Sequence, residues 1–349
     1  MSTTKELVSV HTTVDTSPDQ MAEFVDFGHF ASDVAAHGLS VVISNKATFT
    51  EDGTVWTPRL DKNGQIDDLV ATKIDPQDIA ASHVRVLPEV NVAGGENIPK
   101  LNSNEVKRLA RDKYGLYKRV LSDYQVETSL LSTDLQTYDE MVEVIAGVDG
   151  TEVVLKNNTG SGGRSTKTFA KEDAAAWLDE AIRSEGGLKP QILQPKLEFG
   201  RLPSDIETSD GDKRELLRRA QTEDLLSELR IFVVKRGMNH ELVPILRIVP
   251  NSGDSMASDE YVDAILPNDL QKAVFEATRE ITDKVATEAS GTKYVLGAVD
   301  FYFDKHQAPH VMEANFRSPT LPLTEESPVA GRRMHKAVAA TLAEMAGKE

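Results

Sequence analysis

The chain of 349 residues contains no cysteine. Disulfides, thiolate-ligated zinc and cysteine nucleophiles are therefore excluded. No stretch approaches the roughly 20 apolar residues that a bilayer span requires. Residues 1–10 lack a basic segment followed by an apolar one, so no signal peptide is expected and the cytoplasm is the expected compartment. Positive charge is in short supply, with 39 Lys and Arg against 56 Asp and Glu, a net charge of −17. Such a surface repels nucleic acid and anionic membranes, and neither is expected as a partner. It repels polyphosphates as well, so any nucleotide site must concentrate its basic groups locally. Internal repeats and low-complexity tracts are also absent.

What is present reads as a mixed α/β chain, long enough for two or three fused subdomains. Apolar stretches at 7–10, 39–44 and 83–87 predict strands, 18–37 carries a loose helical pattern, and turn signals flank 55–60 as in a hairpin. Ala93, Gly94, Gly95 and Pro99 mark a boundary. Beyond it a helical pattern covers 104–124, strands are expected at 127–131, 151–155 and 191–193, and helices at 138–145 and 171–183. Residues 200–227 are polar and read as an insertion or lid with a charged helix at 213–226. Strands at 229–234, 242–249 and 295–303, a helix at 270–289, a strand at 310–314 and a helix at 329–345 complete the chain. The expected division is 1–100, 101–188 and 189–349.

The sharpest chemical signal is acidic. Asp300 ends an apolar strand and Asp304, Lys305, His306 and Gln307 form a turn, so the returning strand brings Glu313 opposite Asp300. Asn315 shares a strand face with Glu313 by the period of two. Oxygen donors of this kind suit magnesium, which takes a few carboxylates and then phosphate oxygens; the competing reading is a solvated hairpin with scattered acids. Arg317 places a cation just past them. A second signal is Lys156 at a strand end, followed by Gly160, Ser161, Gly162 and Gly163. Backbone N–H groups of such a loop can approach phosphate oxygens, and Lys156 supplies a fixed charge for the same group. Taken alone the loop is equally a simple turn. It lacks the Gly-Lys-Ser/Thr ending of a P-loop and the spacing of a dinucleotide fingerprint. Gln194, Pro195, Lys196 and Leu197 form a hinge that can present N–H and C=O groups to an adenine edge. Glu228 and Arg230 alternate onto one face, with Arg247 on the next strand; a buried ion pair is the alternative reading for Glu228. Lys113 follows Asp112 in a basic stretch that otherwise reads as a charged helix face.

Taken in order, "RDKYGLYKRVL", "VVLKNNTGSGGRSTKTF", "ILQPKL", "ELRIFVV" and "GAVDFYFDKHQAPHVMEANFRSPTLP" resemble the ATP-grasp superfamily of carboxylate-amine and carboxylate-thiol ligases, of the kind that includes glutathione synthetase and D-alanine–D-alanine ligase-like enzymes. The resemblance spans residues 97–324. It implies an α/β (α+β) chain of the ATP-grasp fold: two α+β subdomains gripping ATP, preceded by an N-terminal α/β domain. It further implies that Lys113 and Lys156 touch the ATP phosphates, that Gly160, Ser161, Gly162 and Gly163 close over them, and that Gln194, Pro195, Lys196 and Leu197 recognise adenine, with Glu198 at the ribose. Glu228 is included in the nucleotide set. Asp300, Glu313 and Asn315 become the ligands of Mg2+, with Mn2+ as a substitute. Arg317 would stabilise the reacting phosphate or tetrahedral intermediate, and Arg230 and Arg247 are candidates for phosphate or substrate-carboxylate contact. Residues 164–166 depart from the family by lacking a further glycine.

The activity so implied is ATP-dependent ligation: a small-molecule or peptide carboxylate is activated as an acyl-phosphate and captured by an amine, with release of ADP and phosphate. A homodimer is compatible with the resemblance. A kinase on the same scaffold and a non-catalytic nucleotide-binding protein are the alternatives.

Overall fold

A computed structural model describes residues 6–11, 27–44, 53–60, 66–84, 98–159, 166–185, 188–204, 206–207, 211–223, 226–249, 256–259, 262–317, 319 and 327–348. Three sheets organise the chain. The first has six strands: β1 (Leu7–His11), β2 (Ser40–Ser44), β3 (Thr54–Leu60), β4 (Ile66–Lys73), β5 (Ile79–Val84) and β6 (Lys100–Leu101), ordered β4-β3-β2-β1-β5-β6. Strands β2, β1, β5 and β6 run parallel, and β3 and β4 form the expected hairpin. Helix α1 (Phe27–Ala35) follows β1. The earlier part of its predicted span, the predicted end of the 83–87 strand and the glycines at the predicted boundary lie outside the described residues.

The second sheet has four strands ordered β7-β10-β8-β9, from β7 (Ser129–Leu131), β8 (Glu152–Asn157), β9 (Lys167–Ala170) and β10 (Gln191–Pro195). Helix α2 (Asn104–Arg111) and the short helix α3 (Lys113–Leu116) precede it; α4 (Tyr138–Gly147) and α5 (Ala174–Glu185) cover it. Helix α4 starts on a capping box: Thr137 accepts from the Glu140 N–H while the Glu140 carboxylate accepts from the Thr137 N–H at 2.7 Å. Met141 and Ile145, one turn apart on α4, then pack with Leu131, Val153, Leu155, Leu178 and Leu193. Instead of one helix over 104–124, the chain breaks at Asp112, whose extended backbone ends α2 and caps α3, and Tyr117–Leu121 continues as a π-helical turn. An Asp carboxylate competes for backbone N–H groups, which favours a cap over a helix interior.

The third sheet has five strands ordered β13-β12-β11-β14-β15, from β11 (Leu226–Arg236), β12 (Asn239–Val249), β13 (Met256–Ser258), β14 (Tyr294–Phe303) and β15 (Pro309–Asn315). Its central strands are buried on both faces, which is why "RIFVV" and "VLGAV" read as continuous apolar runs. On one face Leu229, Ile231, Val233 and Val299 pack with the helical segment 106–121 and with helix α8 (Asn268–Glu288), reached through the short helix α7 (Val262–Ile265). On the other, Phe232, Val234, Leu296 and Ala298 pack with α1, β1 and the C-terminal helix α9 (Pro328–Met345). Helix α6 (Gly211–Thr222), the helical part of the 200–227 segment, is docked: Leu217 and Ala220 join the first of these cores, and the Gln221 amide donates to the carbonyls of Pro203 and Ile206 at 2.9 and 2.8 Å. The strand expected from 229 begins earlier, at Leu226, because the charged residues 228 and 230 belong to the sheet. Among the described residues no helix is long and apolar enough to cross a membrane.

Candidate active site

The β14–β15 hairpin places Asp300 opposite Glu313, with a register shift immediately after Asp300, and Asn315 opposite Ala298. Asp300 is buried inside β14, which runs on to Phe303 rather than ending at Asp300 as expected, and an unpaired carboxylate there would be costly. Arg230, its direct cross-strand neighbour on β11, answers it with two bonds, Nε to Oδ1 at 2.6 Å and Nη2 to Oδ2 at 2.7 Å. Glu228, also buried, lies 3.8 Å from Arg230 and pairs with Arg247, the residue opposite it on β12. The ion pair considered for Glu228 is therefore formed, and both arginines take part in it. Burial, reinforced by the Asp300 charge, pushes the Glu228 carboxyl up to about 7 against the pull of Arg247 and Arg230.

Glu313 connects this cluster to a cleft between the four- and five-stranded sheets. Lys113, Lys156, Gln194, Thr128, Met312 and Glu313 are among its lining residues. Lys113 reaches Glu313 at 3.0 Å. Lys156 donates to Gln194 Oε1 at 3.1 Å, and Gln194 Nε2 donates to Thr128 Oγ1 at 2.8 Å, which fixes the amide's orientation. Burial pushes the Lys156 ammonium down, as does Lys113, while Glu313 and Glu228 pull the other way. For Glu313 burial acts upward, but Lys113, Lys156 and Arg230 outweigh it and hold its carboxyl below the ordinary value. Its side chain nonetheless stays 44% open, because it lies on the floor of the cleft. Two lysines from separate elements thus converge on a carboxylate accessible from the cleft.

The hinge after β10 behaves differently. The Lys196 side chain pairs with Glu152 at 2.7 Å, and its N–H donates to the Glu152 carbonyl at 3.1 Å. Pro195 still pairs with Val153, Leu197 is half-buried, and exposed Glu198 lies 3.9 Å from Lys305. Gly200 then passes so close to the Asp304 carbonyl that a Cβ would overlap it. Among these residues only Gln194 lines the described cleft. Arg317 follows Phe316, whose ring covers Gly297 and whose carbonyl accepts from Asn102 Nδ2 at 2.8 Å. Gly160, Ser161, Gly162 and Gly163 lie outside the described residues.

Gln125, Thr128, Tyr117 and Met312 line the cleft without having been singled out in the sequence. Their side chains carry no motif; the helical turn at 117–121, the Gln125–Val311 bridge and the β7–β10 pairing bring them there. Among the described residues no group of three His, Cys, Asp or Glu stands ready for a metal. The expected donors are two carboxylates and an amide. Asp300 and Glu313 retain further lone pairs beyond those used by Arg230 and Lys113. Such an oxygen-only set fits a hard cation.

No family model matches the chain, and no curated protein sequence matches it. Solved structures do. D-cycloserine synthetase DcsG superposes with a TM-score of 0.58 at 14% identity, covering 96% of this chain and 99% of that one. D-alanyl-alanine synthetase A from Vibrio cholerae gives 0.57 at 12% identity, with 99% and 100% covered. The ATP-grasp ligase PsnB, solved with a minimal precursor, gives 0.55 at 13% identity, with 98% and 100% covered. The chain has the ATP-grasp fold of these ligases over nearly its whole length.

Proposed function

We propose that the chain is an ATP-dependent carboxylate-amine ligase. The observation that carries this reading is the meeting of Lys113, Lys156 and Glu313 in one cleft, with Asp300 directly opposite Glu313. Two ammonium groups and an adjoining carboxylate pair suit a triphosphate bound with a divalent cation, and an overall charge of −17 makes such a local gathering of lysines hard to explain otherwise. The fold shared with a D-alanyl-alanine synthetase, a D-cycloserine synthetase and an ATP-grasp ligase solved with a minimal precursor supports an amino-acid or peptide substrate.

In this reading Lys113 and Lys156 offset phosphate charge so that a substrate carboxylate can approach the γ-phosphorus. An oxygen of that carboxylate forms the new P–O bond as the bond to ADP breaks. The amine then attacks the acyl carbon, and phosphate leaves. Asp300, Glu313 and Asn315 would hold magnesium, which supplies charge neutralisation at the phosphates. Arg317 would stabilise the reacting phosphate or the tetrahedral intermediate, Arg230 and Arg247 would contact phosphate or the substrate carboxylate, and Gln194 and the hinge through Glu198, with Glu228, would serve the nucleotide. Residues 160–163 would serve to keep water from the acyl-phosphate, as the resemblance implies. We divide the chain after β6 and after β10 rather than at the expected residues 100 and 188, since those strands complete the first and second sheets, with the first unit and the 200–227 segment choosing the substrate. The test is a screen of amino acids and dipeptides for stimulated release of ADP and phosphate, with mass spectrometry of the products. Equal release of both with an amide product supports the ligase; a phosphorylated product without free phosphate replaces it with a kinase.

A further inference from the structure

The two cleft lysines come from different elements, and a specific pair of residues ties those elements together. Asn158 is buried and lies one residue beyond β8, the strand that carries Lys156. Its backbone carbonyl accepts from the Lys113 N–H at 3.1 Å. Its side-chain Oδ1 accepts from the Tyr114 N–H at 2.8 Å, and its Nδ2 donates to Asp112 Oδ1 at 2.9 Å. Asp112 Oδ1 also accepts from the Gly115 N–H at 3.0 Å. The first N–H groups of α3, which have no partner within a helix, are thus satisfied by Asn158 and Asp112. Gly115 permits this closeness, because a Cβ there would overlap the Asp112 carboxylate. Asn158 is held from the other side by its own N–H, which donates to the Pro190 carbonyl at 3.1 Å.

We infer that Asn158 and Asp112 are positioning residues that set Lys113 against Lys156, so that recognition of the charged tail of a nucleoside triphosphate depends on their contact. Like charges repel, and Lys113 acts on Lys156 in that sense. Without a tie between α3 and β8 the two ammonium groups would move apart, and a phosphate chain would meet one of them at a time. The inference rests on the reading that both lysines face phosphates.

The test uses the full chain and isothermal titration with MgATP and with AMP. Asn158→Ala is expected to weaken MgATP about tenfold while leaving AMP within about twofold. Asn158→Asp sets two carboxylates against each other and is expected to weaken MgATP at least as much. Adding Asp112→Asn to Asn158→Asp returns a donor to that contact and is expected to bring MgATP back to within about threefold of the original protein. If Asn158→Ala fails to fold, the exchange pair decides, since it alters only an oxygen and a nitrogen at each site. Equal losses for MgATP and AMP, or no recovery in the paired exchange, overturn the inference. Lys113→Ala separates the two layers. If it leaves the MgATP-to-AMP ratio unchanged, the phosphate reading itself has failed; if it lowers the ratio and the Asn158 variants do not, only the clamp has failed.

Discussion

Arg230 grips Asp300 through both carboxylate oxygens, at 2.6 and 2.7 Å, from the position directly opposite on the neighbouring strand. Asp300 is 1% exposed, so water cannot take the place of the guanidinium. Removing the guanidinium leaves a buried charge without its partner, at a cost of about 3–5 kcal/mol. Arg230→Ala should therefore lower the urea midpoint sharply, and Arg230→Ala with Asp300→Asn should recover much of the loss. A single variant within about 0.5 kcal/mol of the original would mean that Asp300 is neutral or otherwise satisfied.

Glu313 differs because it faces the cleft. Its contact with Lys113 at 3.0 Å is partly solvated, with side chains 44% and 22% open, so Glu313→Gln should change stability by no more than about 1 kcal/mol. Turnover should respond much more. With a substrate found in the product screen, ADP release should fall by about a hundredfold or more, with a shift to higher magnesium requirement. Full magnesium-dependent turnover in Glu313→Gln would remove Glu313 from the metal set.

These two acids also mark what was readable in the sequence. The turn of residues 304–307 between apolar strands foretold the Asp300–Glu313 pairing, although the register shift after Asp300 that completes it was not legible, and β11 and β14 were expected as apolar strands at 229–234 and 295–303. The break at Asp112 was not visible. Residues 104–124 are helical in pattern, and the cap at Asp112 draws on Asn158, far along the chain. The short β9 strand, "KTFA", is half polar and half exposed and owes its existence to pairing with β8. Thr128 and Gln125 become cleft residues only through tertiary pairing, which no local period reports.

His240 provides a pH-dependent prediction far from the chemistry. Its ring lies 3.0 Å from Asp283, which also accepts from Lys235 at 2.6 Å. Burial pushes the imidazole below its ordinary value despite the attraction of Asp283, and Lys235 adds to the depression. The folded state therefore binds this proton less readily than the unfolded chain. The associated stability is present above the unfolded value of about 6.5 and is lost as pH falls through the folded value. Between about pH 7 and pH 5 the urea midpoint should drop more steeply in the original protein than in His240→Gln. Parallel curves would show that the ring titrates as it does in water.

Gly297 tests how the segment bearing Arg317 is held. One edge of the Phe316 ring lies against this glycine with no room for a Cβ. Asn102 holds the same place from the other side. Its backbone sits at φ 60°, a region Asn tolerates, and its amide donates to the Leu296 and Phe316 carbonyls at 2.7 and 2.8 Å. Its Oδ1 accepts from the Leu296 N–H at 2.7 Å. Gly297→Ala should force the ring outward and cost about 1–3 kcal/mol. Because Arg317 is the next residue, the variant should also lower turnover in the product screen more than it weakens MgATP binding. Pairing it with Phe316→Leu should restore stability by relieving the overlap. If turnover returns as well, the displaced ring had carried Arg317 out of place and the phenyl group itself is not required; if stability returns and turnover does not, the ring's own shape is needed to aim it.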